Sequence, residues 1–294
     1  MKMKQPAIWL FLSLFLTFRV LFCFSQQEFT WWNNKHNWDG VTHCHKYITI
    51  SPAYMGPNAL PVPKIKNGLL QNNSDFKIAA ESHLSDGDKT TNLFADLYIP
   101  LFSQRVGLNI QAVPIEYYNM DTLTRDKRKA RDHDGEGIAG GTIYVSTYIQ
   151  LFEEKDNFPG VVITVNLKTA SGTNLYAARF TDTPGYYFDI SSGKTINIHN
   201  GFIESVRPYA MAGFYSWQTY RDKYYQNDAF LYGLGFDVFF SKFIIKNAFG
   251  GYIGYIGNGD KPMVYRMTIS GRRNSILNYE FRYQQGFVDF NYTT

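Results

Sequence analysis

The sequence predicts an all-β protein, a transmembrane antiparallel β-barrel of about 12 strands, with 10 as the alternative, carrying an N-terminal proline-rich extension. Three observations lead there. The stretch from Thr91 to Met120 reads as two amphipathic strands joined by a short turn, each about 10 residues long, the length a tilted strand needs to cross a bilayer. Aromatic residues are abundant, with 24 Phe, 22 Tyr and 5 Trp in 294 residues, and many stand near strand ends, where aromatic girdles meet membrane interfaces. After the N-terminus no apolar run is long enough for a spanning helix, so an exported membrane protein of this composition must satisfy its backbone by closing a sheet.

The chain opens with Lys2 and Lys4, an apolar run from Ala7 to Phe18, and a short tail ending at Cys23, Phe24 and Ser25. That is the layout of a secretory signal peptide over residues 1–25. Arg19 stands too early for the run to serve as a spanning helix, and bulky Phe22 before Cys23 argues against lipidation. Cleavage removes three of the 29 basic residues and none of the 25 acidic ones, leaving a formal charge of about +1. The basic precursor is therefore no argument for a nucleic-acid partner. Cys44 alone remains in the mature chain, which excludes an intramolecular disulfide.

Residues 26–70 form the extension. Trp31, Trp32 and Trp38 crowd a polar start, and Pro52, Pro57, Pro61 and Pro63 interrupt any central strand, because proline lacks a ladder donor. The segment is expected to pack at or in the barrel mouth. From Asp75 onward, within a barrel assigned to residues 71–294, alternation takes over. Phe76, Ile78, Ala80, Ser82 and Leu84 alternate with Lys77, Ala79, Glu81 and His83 before a turn at Asp86, Gly87 and Asp88. Leu93, Ala95, Leu97, Ile99 and Leu101 form one row opposite Phe94, Asp96 and Tyr98. After a turn near Ser103 and Gln104, the row resumes with Val106, Leu108, Ile110 and Ala112. Asp121 to Gly141 is the longest polar insertion, expected to face outward while the turn at Ser103 faces inward.

Ile143 to Leu151 and Val161 to Leu167 supply two further outward rows. Leu175 to Ile190 is interrupted by Asp182, Thr183, Pro184 and Gly185, and reads as one bulged strand or two short ones. Tyr209 to Trp217, Gly235 to Phe240, Met263 to Ser270 and Tyr279 to Gln284 complete the alternation. Simple counting gives 11 strands. The even number expected of bacterial barrels places a twelfth in the region from Leu175 to Gly201.

The polar row opposite the apolar one is the functional candidate. Asp96, Asn109, Gln111, Asn166, Lys168, Arg179, Arg207, Asp237, Lys246, Arg266, Glu280 and Arg282 mix both signs, which suits a lumen-facing network of ion pairs across a narrow interior. Such a barrel is either plugged, as a structural or docking component, or a pore for a small solute. In a soluble sandwich or barrel the same pattern has its faces exchanged, with the apolar row as core. That alternative is a soluble exported β-barrel binding an apolar ligand.

No catalytic residue, cofactor or metal is assigned. Asp132, Asp134, Gly135 and Glu136 resemble part of a calcium loop but lack its closing bidentate acid. His36, His43, Cys44 and His45 match no strong zinc spacing, and residues 43 and 45 point to opposite faces if the segment is extended. Gly193, Lys194 and Thr195 echo the end of a P-loop, yet Phe188 stands where its first glycine belongs. Outer-membrane lipid hydrolases pair a Ser with a His on the barrel surface. Here Ser82 and His83 are adjacent and so lie on opposite faces.

With the junction Phe24-Ser25-Gln26-Gln27, the run from Ser51 to Pro63 and the strand pattern from 75 to 290 in view, the chain resembles uncharacterised outer-membrane β-barrel proteins of Gram-negative bacteria of the Bacteroidota type. The resemblance implies export through a signal peptide, residence in the outer membrane, and contact with outer-membrane lipid and the barrel insertion machinery. A small solute or a protein is the further partner it allows, with no nucleic acid. Such barrels usually close on a terminal aromatic, whereas this sequence ends Asn291-Tyr292-Thr293-Thr294, so Phe290 or Tyr292 would have to serve.

Overall fold

In the computed structural model the described residues are 29–101, 105–272 and 277–294. The signal peptide expected over residues 1–25 and the turn at Ser103 and Gln104 lie outside them. Contacts divide the chain into a unit up to Val41 and a unit from Thr42 onward. The first contains one short helix, α1 (Thr30–Lys35), with the Trp32 and His36 rings 5.2 Å apart. The division falls before the proline-rich stretch, so residues 42–70 belong with the sheet.

The second unit is all-β, with 13 antiparallel strands among the described residues: β1 (Asp75–Ser85), β2 (Asp88–Leu101), β3 (Val106–Met120), β4 (Glu136–Ala139), β5 (Tyr144–Phe152), β6 (Gly160–Lys168), β7 (Gly185–Gly193), β8 (Ile196–Asn200), β9 (Ile203–Gln218), β10 (Gln226–Phe240), β11 (Phe243–Gly254), β12 (Met263–Gly271) and β13 (Glu280–Val288). The polar insertion after β3 is more than a loop, since it holds helix α2 (Thr122–Lys127) and β4. Asp121 caps α2, its carboxylate accepting from the Thr124 amide at 2.7 Å.

Each strand pairs with its sequence neighbour along β1-β2-β3-β5-β6-β7-β9-β10-β11-β12-β13, and β4 and β8 stand off this path. Both are continuations. β4 pairs with Glu116 to Asn119 of β3 while β5 pairs with Val106 to Gln111, and β8 continues along β9 where β7 leaves off. The expected count of 12 thus becomes 13 short segments on an 11-strand path. From Leu175 to Pro184 neither strand alternative applies: the segment is a 3-10 turn (Leu175–Ala177) followed by an irregular connection.

Eleven strands in antiparallel succession leave β1 and β13 running the same way, and no ladder joins these edges among the described residues. Thr293 makes one antiparallel bridge to Leu84 of β1 and another to Gln285 of β13. Elsewhere the two edges are spanned by side chains, with Lys77 to Glu280 at 3.2 Å and Arg282 to Glu81 at 3.1 Å.

Alternation sets which side chains are covered. Phe76, Val165, Leu167, Phe188, Leu234 and Phe281 are exposed, Val165 at 47% and Phe281 at 60%, whereas Asn166, Arg179 and Arg207 are fully buried. In β3 the covered positions switch from Gly107 and Asn109 to Glu116, Tyr118 and Met120. An extra residue relative to β2, between Ala112 and Ile115, causes the switch. Pro114 stands inside it, where a missing donor does least harm.

The covered face packs on residues 48–70, which run its length. At one end the Ser51 hydroxyl donates to the carbonyls of Asn258 and Gly259, both at 2.9 Å, and the Trp217 indole donates to the Ile50 carbonyl at 3.2 Å. Midway the Tyr252 hydroxyl donates to the Leu60 carbonyl at 2.8 Å. At the far end the Gln150 amide donates to the Gly68 carbonyl at 3.0 Å. The apolar core is built between segment and sheet, with Ile48, Ile50, Met55, Leu60 and Ile65 meeting Met211, Tyr215, Trp217 and Tyr252. Gly233 and Gly250 face each other across β10 and β11, and a Cβ at either would strike Ile65. Their missing side chains are the groove in which the segment lies.

Candidate functional site

The polar residues picked out by alternation fall into three groups rather than one continuous network. The first sits where β2 and β3 meet the connection before β7. Asn174 and Ala178, neither of them glycine, take left-handed conformations with φ of 56° and 54°. Such φ values are disfavoured outside glycine. They turn the chain so that Arg179 drops inward. Its Nε donates to Glu116 at 2.8 Å, and its terminal nitrogens donate to Asp88 and Thr90, both at 2.7 Å, while the guanidinium lies 4.7 Å from the Tyr118 ring centre. Asp88 also accepts from Arg128 at 2.6 Å and from the Tyr292 hydroxyl at 2.5 Å. Asn58 brings the segment in, donating to Glu116 at 2.7 Å and Asn92 at 3.0 Å.

The second group ties the segment to β5, β7, β9 and β10. Lys66 pairs with buried Asp189 at 2.5 Å, and Asn67 donates to Asp237 at 3.0 Å. Arg207 donates to the carbonyls of Asn67 at 2.9 Å and Gly193 at 3.0 Å, and also bonds Glu154. Asp237 and Lys246 are register partners across β10 and β11, yet no ion pair joins them. Asn166 donates to Ser146 at 2.6 Å, and Lys168 is buried against the Thr183 carbonyl at 2.6 Å and the Thr181 hydroxyl.

The third group surrounds a cavity of about 210 Å³ between the segment and the sheet, lined chiefly by β1, β2, β3, β12 and β13 and also reached by Tyr144, Tyr187, Tyr215 and Lys246. Asp96 accepts from Asn109 at 2.5 Å and Gln111 at 3.4 Å. Arg282 pairs with Glu81 and lies 4.8 Å from the Phe94 ring centre, Glu280 pairs with Lys77, and Arg266 donates to the Pro63 carbonyl at 2.9 Å and the Val62 carbonyl at 2.5 Å. Lys64 and Lys246 also line this space.

Lys64, Lys66, Glu81, Asp88, Glu116, Arg128, Asp189 and Tyr292 were not among the sequence-based candidates, although several of these contacts run to them. Asp88 reads as a turn residue, and Glu116 lies beyond the β3 bulge, where the face has changed. Counting back from Asn92 in steps of two reaches Thr90 and Asp88, a signal that could have found them.

Ser82 and His83 lie on opposite faces. His83 is buried between the Thr294 hydroxyl and Asn92, each at 2.7 Å, and the exposed Ser82 hydroxyl meets Thr91 at 3.3 Å, so no nucleophile–base pair forms there. The carboxylates of the calcium-like stretch are engaged separately, Asp132 with the Tyr118 hydroxyl at 2.8 Å and Glu136 with Asn119 at 2.9 Å. Burial holds the Asp132 carboxyl above its ordinary value.

One expectation is corrected. His43 and His45 do not face apart, because the chain forms a 3-10 turn (Cys44–Tyr47) instead of an extended strand. His43, Cys44 and His45 bring their donor atoms within 4.8 Å of one another, the one group among the described residues that could hold a metal ion. Two imidazoles and a thiol make a soft donor set. His43 Nδ1 already accepts from the His45 amide at 3.4 Å, and burial, then neighbouring His43, lower the His45 pKa.

The sequence matches no protein-family model and no curated protein.

Proposed function

We propose that the protein is an integral outer-membrane β-barrel whose bore is filled by its own N-terminal segment, serving as a structural or docking barrel rather than an open pore. The observation that carries this is the inversion of burial: Arg179, Arg207 and Lys168 are covered while alternate rows containing Val165, Leu234 and Phe281 are bare. A soluble sandwich hides its apolar row, because burying that row is what stabilises it. Here the same row finds shelter only against lipid. Strands of up to 16 residues, as in β9, are long enough to cross a bilayer at a tilt.

The proposed closure is compatible with parity. An antiparallel partner common to two edges that run the same way must itself run opposite, and the residues around Thr293 do so as a very short twelfth strand. Along the rest of the seam the pairs Lys77–Glu280 and Arg282–Glu81 substitute for a ladder. The segment from Ile48 to Leu70 occupies the bore along its length, which favours a plugged barrel over a channel.

The test is accessibility in isolated outer membranes. Cysteine placed at Val165 or Phe281 should react with a lipid-phase reagent and resist a water-soluble one. Recovery of the protein from the soluble periplasm, or rapid labelling of both sites from water, would refute the membrane reading. In planar bilayers the full chain should give no stable openings.

A further inference from the structure

The cavity beside the segment carries more positive charge than its own carboxylates neutralise. Lys64, Lys246, Arg266 and Arg282 line it together with Glu81, Asp96 and Glu280. Of the four cations only Arg282 forms ion pairs with these carboxylates, with Glu81 at 3.1 Å and Glu280 at 3.6 Å. Arg266 spends its donors on neutral oxygens, the Val62 and Pro63 carbonyls and the Gln284 side chain. Lys64 and Lys246 have no ion pair or hydrogen bond among the described residues. The three carboxylates are shared: Glu81 accepts from Asn92 at 3.0 Å, Asp96 is held by Asn109 and Gln111, and Glu280 pairs with Lys77 at 3.2 Å and Arg282 at 3.6 Å while also facing Lys64.

Lys64 is exposed to this space and Lys246 and Arg266 are half-buried beside it, so their positive charge exceeds what the three carboxylates balance and is open to an entering anion. The space also has apolar walls, with Phe94, Tyr187 and Phe290 among the lining residues. We propose that this cavity is a binding site for a small phosphate-bearing molecule, its oxyanion held by Lys64, Lys246 and Arg266 and its organic part lying against Phe94 and Phe290. Two lysines act as point charges, and Arg266 adds its charge through the N–H groups left over by its bonds to Val62, Pro63 and Gln284, a combination matched to a doubly charged tetrahedral oxyanion. The volume, about 210 Å³, admits such a group with a short organic tail or a few waters. The site lies inside the sheet wherever the protein resides, so it stands or falls apart from the membrane reading.

Lys64 faces Lys77, Lys246, Glu280 and Asp96, and repulsion by Lys77 foremost brings its pKa down to about 8. An anion that needs the ammonium form is therefore released as pH rises through that value.

The experiment uses the full chain in neutral-detergent micelles, titrated with inorganic phosphate, with glycerol phosphate, and with vesicles containing phosphatidic acid, each against chloride at equal ionic strength. Saturable thermal stabilisation by phosphate or glycerol phosphate is expected, weakened about tenfold by Lys64→Gln or by Lys246→Gln, the loss of one charge-assisted contact, and fading above about pH 8. Stabilisation by phosphatidic acid alone would make the same site a lipid-headgroup site. Both lysine variants remove repulsion rather than packing, so they remain folded, and equal binding by wild type and variants would overturn the assignment. So would the absence of any phosphate-specific effect.

Discussion

Arg179→Ala is the most informative single substitution. The side chain is fully buried and donates to Glu116, Asp88 and Thr90. Its removal does not leave the two carboxylates equally exposed to loss, because Asp88 keeps Arg128 and Tyr292 while Glu116 keeps only Asn58. Truncating one member of a buried ion pair costs about 3–5 kcal/mol, chiefly the penalty of the charge left behind. Losing the bond to Thr90 adds about 1 kcal/mol. We expect a net loss of about 5 kcal/mol, most of it traceable to Glu116. Arg179→Met combined with Glu116→Gln should therefore recover most of it, returning to within about 2 kcal/mol of the wild type. Equilibrium urea unfolding in detergent micelles, followed by the fluorescence of buried Trp217, measures both. A loss below about 1 kcal/mol for Arg179→Ala, or no recovery in the double variant, would refute the reasoning that unpaired charge sets the cost.

Three further outcomes follow from the geometry. Gly250→Val should destabilise the fold by about 1–3 kcal/mol through overpacking, because a Cβ there would come within 2.6 Å of Ile65, and limited proteolysis should then cut between residues 60 and 70. Unchanged proteolysis would mean that the segment is not held in that groove. Tyr292→Phe removes a buried hydroxyl shared by Asp88 and Arg128, both partners within 2.6 Å, and should cost about 1–3 kcal/mol in the same unfolding assay. Because the pKa of Lys64 is lowered from 10.5 to about 8, the unfolded chain binds more protons between those values, and stability should rise with pH across that window and stay level below it. Lys64→Met should reduce that alkaline rise, as read by unfolding at several pH values; an unchanged rise would refute the contribution of Lys64.

Strand existence and the direction of each alternate row were legible because the period of two is written into Val161 to Lys168 and Met263 to Ser270 without interruption. The bulge near Pro114 was not, since inserting one residue reverses every later position while leaving the pattern looking regular. The simple count of 11 agrees with the strand path and the twelfth came only from the expectation of an even number, while breaks at Gly140 and Lys194 split continuous rows into β4 with β5 and β7 with β8. Most of the polar candidates are buried as the alternation predicts, but their partners were hidden. Lys66 with Asp189 and Arg179 with Asp88 are joined by the path of an irregular segment, and irregular backbone carries no period from which to read a contact. The 3-10 turn at Cys44 escaped for the same reason.

The groove formed by Gly233 and Gly250 bears on how the molecule comes to be assembled. Ile65 is made early, yet its seat belongs to strands synthesised much later, and the bond from Asn67 to Asp237 spans 170 residues. Contacts so distant along the chain are slow to form. In the proposed barrel, a segment lying along the inner side of the sheet is also hard to introduce once the edges have met. The order of events is thereby constrained: residues 48–70 must be laid down as a mandrel, and the later hairpins must fold over it, so that a defect in this stretch would show first as failed assembly.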